Sequence, residues 1–179
     1  MSIFRISRGL PGAAVLFFGL ASVLAQPAQP LAQSAPGHVS DKLTLDGPGK
    51  HIEVSLAELR AMPQVTLTVM NNHAHARETY QGVPLVLLLR KVGAAQAADV
   101  KGKALSQYVM AIGADGYKVV LSLAEIEPAF HSGTVLVADS QDGKPLDAKA
   151  GPFKLVVQED VQPARWVHSL VHIELRAAP

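Results

Sequence analysis

Gly82-Val-Pro-Leu-Val-Leu-Leu-Leu-Arg-Lys-Val-Gly93 is the most strongly patterned stretch of the chain, and what flanks it decides the fold class. Gly82-Val-Pro-Leu85 reads as the start of a helix, with Pro84 in a first turn where no amide partner is required. Leu85, Leu88, Leu89 and Val92 fall on one helical face, and Gly93 suits the end. Upstream, Val65, Leu67 and Val69 alternate with Thr66, Thr68 and Met70, the pattern of a half-buried strand. Downstream, residues 94–103 read as a loop. Tyr108–Ile112 and Lys118–Ser122 then read as strands around the turn Gly113-Ala-Asp-Gly116. Leu43–Leu45 and His51–Val54 form a similar pair around Asp46-Gly-Pro-Gly49. Val135–Ala138, Phe153–Val157 and Trp166–Leu175 are further strands. Ser55-Leu-Ala-Glu58 and Ser122-Leu-Ala-Glu125 are capping boxes that open short helices, stopped by Pro63 and Pro128. About eight strands and three short helices without strict β-α alternation predict an α+β fold, a mixed β-sheet domain with a few short helices.

The chain has 179 residues, 49% of them hydrophobic, enough for one core. Residues 1–25 read as a signal peptide. Arg5 and Arg8 precede the apolar run Ala13–Leu20, and Val23-Leu-Ala25 offers a cleavage site. The run is shorter than the roughly 20 residues of a membrane span. The two arginines are not adjacent, so no twin-arginine signal is evident. Residues 26–38 read as a flexible Pro/Ala-rich leader, and 39–176 as a single folded domain. The expectation is a bacterial periplasmic or secreted protein with no membrane span after cleavage. Removing residues 1–25 takes away two Arg and no acid, leaving 14 basic against 15 acidic groups. That balance argues against a nucleic-acid binder. The absence of Cys excludes disulfides, thiol catalysis, thiolate metal sites and haem attached through Cys.

Several residues are candidates for chemistry. His73-Ala-His75 can chelate one metal if its backbone is extended, and Met70 could add a thioether that favours copper over zinc. The alternative is surface or hydrogen-bonding histidines. His168 and His172, read on one strand, lie roughly 13 Å apart, too far to share a metal. Asp115-Gly-Tyr117 is a plain hairpin turn or a functional one. Arg165-Trp166 is either a solvated Arg beside a core Trp or an anion site. No Gly-x-Ser-x-Gly, His-Glu-x-x-His or phosphate loop is present.

Five pieces together carry a resemblance. They are Ser55–Pro63, Tyr80–Leu89, Ala114–Val120, Gly151–Val157 and Ala164–Val167. In this order and rough spacing the chain resembles the molybdopterin-binding domain of the sulfite oxidase family, especially its short exported bacterial members. The resemblance implies that Arg165 lies near the phosphate end of a pterin and that Asp115 and Tyr117 reach the active site. It suggests a cleft that also holds His73, His75, Trp166 and His168, with molybdopterin as the implied cofactor. Gly151–Val157 looks like a core strand and carries no chemistry. The family holds molybdenum through a Cys thiolate at the end of the strand before the Gly-Val-Pro-Leu segment. Met70 is the nearest match here, and a neutral thioether is no substitute for a thiolate. Three readings follow. One is a non-catalytic or divergent member that binds a pterin, another anion or a segment of a periplasmic partner. The second is an active oxidoreductase without Cys ligation. The third is a periplasmic copper or zinc binder using His73 and His75.

Overall fold

The computed structural model describes residues 40–179. The signal peptide, the leader and the start of the domain at residue 39 lie outside the described residues.

Among the described residues, ten strands form two five-stranded sheets. The first sheet runs β2 (Lys50–Ser55), β1 (Lys42–Gly47), β10 (Leu170–Ala177), β5 (Gln107–Gly113) and β6 (Lys118–Ser122). Only β1 and β10 pair in parallel; their neighbours are antiparallel. The second sheet runs β3 (Val65–Asn71), β4 (Ala76–Pro84), β7 (Val135–Gln141) and β8 (Lys144–Pro145), with β9 (Lys154–Val157) also on β7. Helices α1 (Leu56–Arg60), α2 (Leu85–Lys91) and α3 (Leu123–Ile126) are short. This is the mixed α+β class that the strand and helix patterns predict. One apolar core draws on both sheets and on α2, through residues such as Leu43, Leu45, Leu88, Leu89, Leu136 and Leu155. No helix among the described residues is long and apolar enough to cross a membrane.

Local chemistry explains the short elements. Ser55 and Ser122 accept from the Glu58 and Glu125 amides, and each Glu carboxylate accepts from the serine amide in return. Both helices therefore start as complete capping boxes. Ser55→Ala removes one half of the exchange and is expected to cost about 1 kcal/mol of stability, read as a lower urea midpoint.

The chain departs from its sequence pattern in three places. First, Gly82, Val83 and Pro84 finish β4, and α2 begins at Leu85 with Pro84 as its N-cap. Gly82 and Val83 pair with Ala138 and Val137 of β7, so sheet pairing overrides the helix-start reading. Second, Ala76–Gln81 forms most of a nine-residue strand that the polar pattern does not announce. Third, β10 starts at Leu170, not at Trp166. Residues 163–165 form a single 3-10 turn opened by Pro163, and Ser169 takes a left-handed φ of 44° just before the strand. His168 therefore lies in the loop before β10 and His172 inside the strand, so the common strand face expected for them does not exist.

Candidate ligand-binding cleft

A cleft of about 880 Å³ opens where the β3–β4 hairpin, the turn after β5, the Asp147–Ala150 segment, the start of β9 and the Pro163–Ser169 loop meet. The most buried charged residue in its lining is Lys154, only 3% exposed. Lys154 Nζ donates to the Tyr80 hydroxyl at 2.6 Å, and that hydroxyl donates to Glu78 Oε2 at 2.6 Å. Asn71 Nδ2 lies 3.1 Å from each Glu78 oxygen and donates to that carboxylate. The ammonium lies 4.6 Å from the Tyr80 ring centre and 5.4 Å from that of Trp166, and the two rings meet edge to face. Burial pulls the Lys154 pKa below the usual lysine value, against the opposing pull of Glu78 and Asp147. Burial and the Glu78 carboxylate push the Tyr80 hydroxyl well above the tyrosine range, so it stays protonated.

The carboxylates around the cleft are engaged by the protein itself. Glu78 accepts from Tyr80 and Asn71. Asp147 Oδ1 accepts from the Lys149 and Ala150 amides, at 3.0 and 2.7 Å. Asp115 Oδ1 accepts from the Tyr117 amide at 2.9 Å, which locks the hairpin turn. The cations are less engaged: Lys154 Nζ makes a single hydrogen bond, and Lys149 has no ion pair among the described residues.

The expected site residues divide. Asp115, Tyr117, His73, Trp166 and His168 line the cleft; His75, Met70 and Arg165 do not. Tyr117 is half exposed at the rim and its hydroxyl donates to the Ala164 carbonyl at 2.6 Å, tying the β5–β6 turn to the loop before Trp166. Trp166 is buried, with its indole N–H on the Val157 carbonyl. Partial desolvation in the cleft wall, with Lys154 and Lys149 nearby, lowers the His168 pKa.

The extended backbone that would let His73 and His75 chelate one metal is absent. Residues 72–75 make a tight turn between β3 and β4. In it Asn71 Oδ1 accepts from the His73 and Ala74 amides, and His75 has a φ of 53°. Met70 is 51% exposed on β3. No group of three or more His, Cys, Asp or Glu among the described residues is arranged to hold a metal ion. His172 is engaged elsewhere, donating from Nε2 to Asp46 at 2.6 Å.

Arg165 is the largest departure. Its guanidinium grips Asp160 through Nε and Nη2, at 3.0 and 2.6 Å, and Glu125 through Nη1 at 3.0 Å. These carboxylates neutralise the charge that was expected to meet a phosphate, and they lie beside a separate small cavity next to α3. Arg165→Ala is expected to lower stability by about 1–2 kcal/mol, a range set by its partial exposure. Ligand titrations of the variant should leave anion affinity in the main cleft unchanged.

Lys154, Glu78 and Tyr80 were missed by sequence reasoning. The segment Gly151–Val157 reads as a core strand without chemistry, and β9 is indeed buried at all four positions. The available signal was the lysine itself, a charge inside the apolar run Phe153-Lys-Leu-Val-Val157.

Fold and sequence together define the class. Residues 35–179 match the family described as oxidoreductase molybdopterin binding domain, and the chain belongs to that family. Its fold is similar to that of the sulfane dehydrogenase SoxCD from Paracoccus pantotrophus, with a TM-score of 0.58 and 20% sequence identity. The likeness covers 76% of this chain and 39% of that one. No curated protein sequence matches the chain.

The cleft can be tested against the cofactor that the family name implies. There is no cysteine anywhere in the chain, and Met70 lies outside the cleft lining. A thiolate-held molybdenum does not fit this donor set, which offers ammonium, imidazole, carboxylate and phenol groups. The under-used ammonium of Lys154 does suit an anionic group.

Proposed function

We propose that this protein is a divergent, cysteine-free member of its family whose cleft binds an anionic ligand, an anionic pterin among them, without thiolate-anchored molybdenum. The carrying observation is Lys154: a buried ammonium with one neutral acceptor and donors to spare, while the neighbouring carboxylates are already bonded. A buried charge that touches no carboxylate directly is costly, and a ligand anion relieves that cost. No redox step is assigned to the chain. The proposed site of action is the periplasm or the extracellular space, on the strength of the signal-like residues 1–25.

Trp166 is the single tryptophan and lines the cleft, so its fluorescence reports on occupancy. Titration of the secreted protein with a carboxylated pterin, and separately with inorganic phosphate, should give saturable quenching that salt weakens. An unaltered Trp166 signal, together with no heat of binding for either ligand, would overturn the reading.

A further inference from the structure

We propose that Lys154 is a reactive amine that condenses with the carbonyl group of an anionic carbonyl compound, a 2-oxo acid, to form an imine. This rests on the reading that the cleft takes an anionic ligand, and it adds a covalent step. Three features carry it. Lys154 lines a wide cleft and is almost wholly shielded from bulk water. It heads a continuous hydrogen-bond chain, Lys154 Nζ to Tyr80 hydroxyl to Glu78 carboxylate, with both links at 2.6 Å. The Tyr80 and Trp166 rings flank Nζ, and Lys154 and Trp166 both line the cleft.

The hydrogen-bond chain supplies the proton transfers. Tyr80 passes its proton to Glu78 as it takes one from the ammonium, which leaves a neutral amine and a carboxylic acid in place of a buried cation and a half-buried carboxylate. The nitrogen lone pair then forms a bond to the carbonyl carbon, and the π electrons move to oxygen to give a carbinolamine. Loss of water breaks the old C–O bond. One proton for that water comes from the amine nitrogen and one returns from Glu78 through Tyr80. The sum is ammonium plus carbonyl to protonated imine plus water, with Glu78 returned to its carboxylate and no change in oxidation state. Lys149, on the same cleft and without an ion pair among the described residues, provides a counter-charge for the ligand carboxylate. The lowered pKa of Lys154 supports a neutral fraction of the amine.

The test is reductive trapping on the intact secreted protein. Glyoxylate and sodium cyanoborohydride are added at neutral pH, and adducts are located by peptide mass mapping. The expected result is one dominant adduct at Lys154, formed at least ~10-fold faster than at any surface lysine. Lys154→Arg, which keeps the cation but cannot form an imine, should lose that adduct. Glu78→Gln, which cannot take up the proton, should slow labelling of Lys154 about tenfold with the fold retained by circular dichroism. Adducts spread over surface lysines with Lys154 unmodified overturn the proposal. If the carboxylated pterin still quenches Trp166 in that preparation, only the imine step is lost. If it does not, anion binding fails with it.

Discussion

Lys154→Met is expected to weaken anion binding by about ten- to a hundredfold while leaving the fold as stable as before or more so. The loss corresponds to one charge-assisted hydrogen bond, about 1.5–3 kcal/mol. The stability side follows from burial. Lys154 loses its hydration and receives one neutral acceptor in return. Methionine fills nearly the same volume without that penalty, and Tyr80 keeps its bond to Glu78. A gain of up to about 2 kcal/mol is expected at neutral pH. The pH dependence has a definite sign. Because folding lowers the Lys154 pKa, the unfolded chain holds the proton more tightly. Wild-type stability therefore gains from this group as pH rises from the folded pKa to the unfolded value near ~10.4, and the Met variant lacks that gain. Urea unfolding at several alkaline pH values, paired with Trp166 titrations at neutral pH, reads both halves. A residue that served only the fold would show the opposite pattern, with lower stability and unchanged binding.

Gly82→Ala is expected to have the largest effect on the fold. A Cβ at this position would lie 2.1 Å from the Val137 carbonyl oxygen and 2.6 Å from Ala138 Cα. Neither atom can move easily, because β7 pairs with β4, β8 and β9. The register of β4 against β7 also shifts between Gln81 and Gly82, so the close approach is built into the irregularity. Forcing a methyl into this contact should cost at least about 1–3 kcal/mol. Against the marginal stability of a domain this size, that is a substantial fall in the thermal midpoint or a failure to accumulate folded protein. Unchanged unfolding of Gly82→Ala would contradict the β4–β7 pairing described here.

The legible parts of the fold are those written in short range. Both capping boxes join residues three apart, and the Asp115-Gly116 turn closes within one hairpin. The buried face of α2 and its C-cap, Leu85, Leu88, Leu89 and Val92, is visible in its helical spacing. Strand β4 is harder to read. Arg77 and Glu78 look like loop residues until β3 is seen paired beside them, with Glu78 lining the cleft. The cleft is harder still. The Lys154–Tyr80 bond spans 74 residues of sequence, and nothing local to either residue announces it. Arg165 shows the same limit from the other side. Its position beside Trp166 suggests an anion site, yet Glu125, 40 residues away, and Asp160 occupy its guanidinium. The resemblance located the family and the five pieces, and the missing thiolate was plain from composition. Which cation faces the cleft was decided by long-range packing.

The central claim is that this family fold works here without thiolate-held molybdenum. The most direct measurement is elemental analysis by inductively coupled plasma mass spectrometry on protein secreted by a molybdenum-competent host, with a pterin fluorescence assay on the same sample. The account predicts molybdenum far below one atom per chain, with any pterin present removable by dialysis at high salt. Molybdenum at one atom per chain, retained together with pterin through that dialysis, would contradict it.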